Sequence, residues 1–333
     1  MGEQFAAQQA DFAAGHGHPD LACGVGDWDC DVYGNHRILV RVDETGPVCA
    51  AELPWRRQDP DPSLVDVIVR APSGRRVRNT VAVEVSAERG RIAFAPVEGP
   101  GAYAVHYLPY AHTGRAYYPQ AAYRQPTATA DPQWVHTHGL DGPDAWAGLP
   151  RATAFRYEAA SAVDSFAPLG FPATRAERAK LDAAFPEAEL LLFGEDRAHP
   201  LGRYAQLPAR WARGTPFAAF EGTADQGEHY AFQVGVFAAA ALDDVRAQVR
   251  GLPFEVRCIS RGGSDARGGT FERRVDVAAG GVCALWFLAH VPHGTAPGRY
   301  GGEVAVRAEG VPERVLPVRL TVTDRAVPDG GVG

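Results

Sequence analysis

Lysine is almost absent from this 333-residue chain: of its 33 lysines and arginines, only Lys180 is a lysine. The 40 acidic residues outnumber these cations and leave a net charge of −7. That balance argues against nucleic acid as a partner, which would require clustered basic surface. Long hydrophobic runs are missing too, and none approaches the roughly 20 residues of a membrane span. The opening residues lack the basic and apolar regions of a secretory signal. The expected location is therefore cytoplasmic, with export left open if the start is misassigned. Cysteine is sparse: Cys23, Cys30, Cys49, Cys258 and Cys283 are odd in number and show no CxxC spacing. Cys258 and Cys283 fall inside apolar strand patterns and read as buried thiols; a Cys23–Cys30 clip is the alternative for an exported chain. Gly262-Gly263 and Gly268-Gly269 lack the GKS of a phosphate loop. No Ser/Cys-His-Asp spacing is recognisable. No cofactor is expected.

What the chain does have is turn residues. Its 37 glycines and 26 prolines punctuate a sequence that is 46% hydrophobic, a pattern that favours many short strands over long helices. Period-two alternation recurs at Ile38–Val42, Val65–Arg70, Val81–Val85, Arg91–Ala95 and Tyr103–Leu108, with breaks every eight to twelve residues in the manner of a β-sandwich. A second series begins near Phe217 and includes Glu228–Phe237, Val245–Arg250, Cys283–Val291, Gly301–Ala308 and Val315–Val322. Between them, Thr174 and Glu177 form a capping-box pair for a helix through Ala184. The expected class is mainly β: two β-sandwich domains, Ig-like or jelly-roll-like, joined by a small mixed α/β segment. The boundaries read as a flexible leader over 1–26, a first sandwich over 27–150, a mixed joining segment over 151–215, a second sandwich over 216–325 and a tail over 326–333. Both sandwiches share a Gly/Pro-x-G-x-Tyr turn, at Gly99–Tyr103 and Ala296–Tyr300.

Several strings stand out together: Tyr33-Gly34-Asn35-His36-Arg37, the run Leu53–Asp59 (LPWRRQD), Gly101–Tyr110 (GAYAVHYLPY), Leu192–Pro200 (LFGEDRAHP) and Pro297–Val306. With them the chain, from about Asp27 to Thr323, resembles the N-terminal region of bacterial glycoside hydrolases related to family 123. Such enzymes remove β-linked N-acetylgalactosamine with an adjacent Asp-Glu pair on a (β/α)8 barrel beyond the sandwich region. The resemblance implies accessory domains without that barrel, so no catalytic residue carries over. The partners it implies are a glycan and a catalytic barrel, as a domain or a separate chain; neither nucleic acid nor a membrane is expected.

Among individual residues, Trp55, Arg56, Arg57 and Asp59 make the densest aromatic and polar cluster. An indole face flanked by planar donors and a carboxylate suits a pyranose; the same residues equally suit a plug at the end of a sandwich. Tyr110, Tyr117 and Tyr118 lie in a stretch read as a loop, where aromatics mark a contact surface for a sugar or for another domain. Glu195 and Asp196 follow a buried strand and are the candidate catalytic carboxylates, although neighbours on an extended chain point apart. The pairs His16/His18 and His136/His138, the latter with Asp141 and Asp144 nearby, lack a persuasive ligand set, so no metal is expected. Asn35, His36 and Arg37 read as pins for the entry of the first strand.

Overall fold

The computed structural model describes residues 17–115, 117–142, 146–165, 168–201, 206–264 and 270–328. The chain is mainly β and divides into two units between Phe171 and Pro172. No described helix is long and apolar enough to cross a membrane.

The first unit contains β1 (Ala22–Val25), β2 (His36–Val42), β3 (Cys49–Leu53), β4 (Ile68–Arg70), β5 (Thr80–Val85), β6 (Gly90–Phe94), β7 (Gly101–His106), β8 (Tyr110–Arg115), β9 (Tyr118–Tyr123) and β10 (Arg151–Ala159). Its main sheet runs β4-β7-β2-β10-β3-β6-β5, with β1 also on β10. β10 is the strand that turns the corner. Its first residues pair in parallel with β3 (Arg151↔Ala50), and from Thr153 onward it pairs antiparallel with β2, with a register shift between Ala154 and Arg156. Such an irregularity lets one strand bend from one layer to the next. The alternating inward residues of both halves, including Ile38, Val40, Ile92, Phe94, Tyr103 and Val105, then share one core. β8 and β9 form a hairpin paired only with itself among the described residues.

The second unit contains β11 (Leu190–Asp196), β12 (Phe220–Gln226), β13 (His229–Ala238), β14 (Arg246–Arg250), β15 (Val256–Cys258), β16 (Gly262–Ser264), β17 (Thr270–Glu272), β18 (Val282–His290), β19 (Gly298–Ala308) and β20 (Val311–Ala326). Two four-stranded sheets, β11-β13-β18-β15 and β12-β20-β19-β14, enclose a common core of residues such as Phe232, Val234, Phe287, Val304, Val318 and Leu320. This is a β-sandwich. Period two is visible in β18, where Leu285, Phe287 and Ala289 are buried and Trp286 and Leu288 point to the other side.

The segment 151–215, read from the sequence as a joining piece, is shared out between the units. Arg151–Ala159 is the corner strand of the first, while the helix Arg175–Ala184, β11 and the helix Ala209–Arg213 lie in the second. Long-range pairing decides this: β10 hydrogen-bonds to three strands that precede it by more than a hundred residues. The capping box is present as expected: Thr174 Oγ1 accepts from Glu177 N, and Glu177 Oε2 accepts from Thr174 N at 2.8 Å. The two Tyr turns also share one device. Tyr103 donates its hydroxyl to Gly99 O at 3.0 Å and Tyr300 donates to Ala296 O at 2.7 Å, each closing the chain four residues back.

Candidate functional site

The residues singled out at Trp55 are core, not surface. Trp55 is fully buried, donates its indole N–H to Ser86 O at 2.7 Å and packs on Tyr107 with ring centroids 5.2 Å apart. A Cβ placed on Gly90 would come within 2.2 Å of the indole, so that face is closed by backbone. Arg57 and Asp59 form a bidentate pair, Nε–Oδ1 2.9 Å and Nη2–Oδ2 2.7 Å, with side chains 0% and 1% exposed. Arg56, also buried, donates to Asp20 at 2.5 Å. A buried cation tolerates its position only when paired and hydrogen-bonded, which is why the Arg-Arg-x-Asp string sits beside the plug. No face of Trp55 remains for a sugar.

Glu195 and Asp196 are likewise occupied. They alternate on β11 and point to opposite sides. Glu195, 4% exposed, accepts from Arg210 Nε and Trp211 Nε1, both at 2.9 Å. Trp211 stacks on Phe193 at 4.9 Å. Asp196 accepts from the Tyr230 hydroxyl and from Ala198 N. These contacts make both carboxylates clamps for the chain that follows β11.

Tyr110 is half-buried and donates to Asn35 Oδ1 at 2.8 Å; Asn35 in turn donates to Asp164 at 2.6 Å. Tyr117 stands at the hairpin turn, 91% exposed, and the Tyr118 side chain lies outside the described residues. The stretch read as an irregular loop is thus the β8–β9 hairpin. His36 Nε2 lies 2.8 Å from Asp164 O and Arg37 pairs with Glu158 at 2.6 Å, pinning the entry to β2. His136 Nδ1 lies 3.5 Å from Asp141, and His138 turns its ring edge to Trp134. His16, Asp144 and Gly268-Gly269 lie outside the described residues. His18 is buried against Tyr157 and Phe171. Among the described residues, no three His, Cys, Asp or Glu side chains converge as a metal would require. Cys23 and Cys30 are not bridged: Cys23 Sγ accepts from His18 N at 2.8 Å, and Cys30 Sγ donates to Trp28 O at 3.6 Å.

Among the described residues, two hollows lie apart from these side chains, and the sequence reading had singled out neither. In the second unit, a hollow of about 580 Å³ is lined by Trp286 with Ile259, Ser260, Arg273, Arg274 and Asp276. Trp286 lies on the outward side of β18, half-buried, with its backbone fixed by Ser260 Oγ at 2.7 Å and by Ile259 N at 2.8 Å. Arg274 is oriented by Asp276 at 2.8 Å. The sequence signal was the alternation itself: in VCALWFLAH, a Trp between two core positions must face away from the core. In the first unit, a cleft of about 790 Å³ is lined by eight valines, by Asp66 and Asp141, and by Arg76. Its signal was a carboxylate interrupting the apolar run Val65–Val69.

Residues 26–160 match the family described as glycoside hydrolase 123, N-terminal domain. Residues 26–160, less than half of the chain, thus resemble a glycoside hydrolase 123-related N-terminal domain. No curated protein matches the chain. Among solved structures, a family 123 glycoside hydrolase from Clostridium perfringens aligns at 10% identity over 34% of this chain and 24% of its own length, with a TM-score of 0.27. A PapD-like domain of human CEP192 aligns at 13% identity over 33% of this chain and 82% of its own, TM-score 0.21. The major pilin subunit of Bacillus cereus aligns at 9% identity over 83% and 70%, TM-score 0.22. Scores this low assign neither fold nor function. The segment aligned to the Clostridium enzyme thus spans about a quarter of that protein, and the match to the glycoside hydrolase 123 N-terminal domain falls within the first unit.

Proposed function

We propose that this chain is a non-catalytic, carbohydrate-associated module of a glycoside hydrolase 123-type system, and that the Trp286 hollow is where it holds a glycan. The observation that carries this reading is the lining of that hollow. A half-open indole lies beside two arginines, a carboxylate and a hydroxyl. Pyranose C–H groups stack on such a ring, while guanidinium and carboxylate groups bridge pairs of sugar hydroxyls. The family of the first unit supplies the class of partner.

A catalytic reading finds less support. Glu195 and Asp196 are consumed by structural bonds. Asp66 and Asp141 do share a cleft, but its walls are aliphatic and include no aromatic ring. A sugar would find no platform there.

The test is binding of N-acetylhexosamine oligosaccharides, followed by indole fluorescence and by calorimetry, for the natural chain and Trp286→Ala. Affinity in the millimolar range is expected, with about a fivefold loss in the variant, as one stacking contact of about 1 kcal/mol implies. A parallel screen on aryl glycosides should release nothing. No binding to any glycan, or binding indifferent to Trp286, would overturn the site; product release would overturn the non-catalytic reading.

A further inference from the structure

The valine-lined cleft of the first unit has a chemistry of its own. It lies where the sheet is left open. β4 and β5 are the two ends of the strand order, and Val67, Val69 and β5 residues Val81, Val83 and Val85 face the cleft, together with the stretch 126–132. At about 790 Å³ it is within the range of roughly 300–1,000 Å³ that holds a small molecule. Much of that lining is sealed, with Val65, Val67, Val69 and Val77 buried, and the half-buried Val81, Val83, Val85 and Val135 form its open part. Covering exposed aliphatic surface gains about 25 cal/mol per Å², so an apolar occupant gains free energy there.

The polar groups are few and unequal in sign. Asp66 is 8% exposed, and its carboxylate accepts from Val67 N at 3.0 Å. The guanidinium that lines the cleft with it, Arg76, stands 3.5 Å away and is itself substantially exposed. Asp141 adds a second carboxylate. The lining itself holds two carboxylates against one guanidinium, while Arg124, outside the lining, adds positive potential at Asp66. Burial pushes the Asp66 carboxyl above its ordinary range despite Arg76, Arg124 and the backbone donors. An anionic head would be repelled here, whereas an ammonium would compensate the desolvated carboxylate. A sugar would again find no aromatic face.

We propose that this cleft binds an aliphatic ammonium: an alkyl chain against the valines with its cationic end at Asp66. The proposal is independent of the glycan reading, which concerns residues of the other unit. It is tested on the full chain by calorimetry with octylammonium, octanol and octanoate, which share one chain and differ in head group. Octylammonium should bind about tenfold tighter than octanol, and octanoate more weakly than either. Asp66→Asn should erase the preference for the ammonium while keeping the octanol affinity. Ala128→Trp, a change in the exposed lining that places no demand on the core, should block all three. Equal binding of the three heads, an ammonium preference that survives Asp66→Asn, or absence of binding would each overturn the proposal.

Discussion

Acidification should destabilise the first unit, chiefly through one residue, His106. It is 0% exposed on β7, on the side of the sheet opposite Tyr103 and Val105, roofed by Trp28 at 5.4 Å and Tyr33 at 4.9 Å between ring centroids. Neither ring nitrogen has a hydrogen-bond partner. Arg37 and Arg70, each over one of the roofing rings, add positive potential. Burial first, then these two charges, lowers the His106 pKa from 6.5 to about 3. Because the folded value is depressed, the unfolded chain takes up a proton that the folded chain refuses between these limits. The stability is therefore fully present above pH 6.5 and is lost as pH falls toward 3. At pH 5 the loss is about 2 kcal/mol, from roughly 1.5 pH units at 1.36 kcal/mol each. His36, lowered by its own burial, adds loss of the same sign, while Asp66, whose folded value is raised, opposes it. Chemical denaturation at pH 7.5 and pH 5, for the natural chain and His106→Phe, isolates the term. The variant replaces two unpaired buried nitrogens with apolar ring atoms, so its absolute stability can move either way. Its pH dependence should be flatter by about 2 kcal/mol over that interval. An unchanged dependence would refute the reasoning.

Asp59→Ala should cost about 3–5 kcal/mol, because it leaves the fully buried Arg57 guanidinium without its counter-charge; urea denaturation read at the first unit's transition checks this. Gly235→Ala should destabilise the second unit by about 1–3 kcal/mol, since the new methyl would meet the Trp211 ring at 1.9 Å. A thermal melt of that variant at or above the natural midpoint would be the contrary result. Glu195→Gln should lower the same melt while leaving glycan affinity unchanged, because Glu195 serves Arg210 and Trp211; an altered glycan affinity would point to a ligand role instead.

The strand class was readable from period-two alternation, and the helix Arg175–Ala184 from its own first turn, because both signals are local. The paired Tyr turns were readable for the same reason: the clamp closes over four residues. Trp55 and Trp286 mark where that reach ends. Each is an indole with arginine and aspartate nearby, yet one is sealed by Gly90 and Tyr107 while the other opens on a hollow. The alternation of β18 did hold the clue for Trp286. For Trp55, which follows β3 rather than lying in it, no local pattern reports burial. The membership of β10 was equally out of reach, since its partners are set by pairing across more than a hundred residues. Composition and periodicity alone determined that this chain is β-rich, acidic and without a membrane-length apolar run. Which aromatics face solvent, which carboxylates are spent on clamps and where the open ends of the sheet leave a cleft were decided only in the tertiary structure. Those properties depend on which strands become neighbours, and that choice balances the burial of whole faces rather than the preference of any one segment.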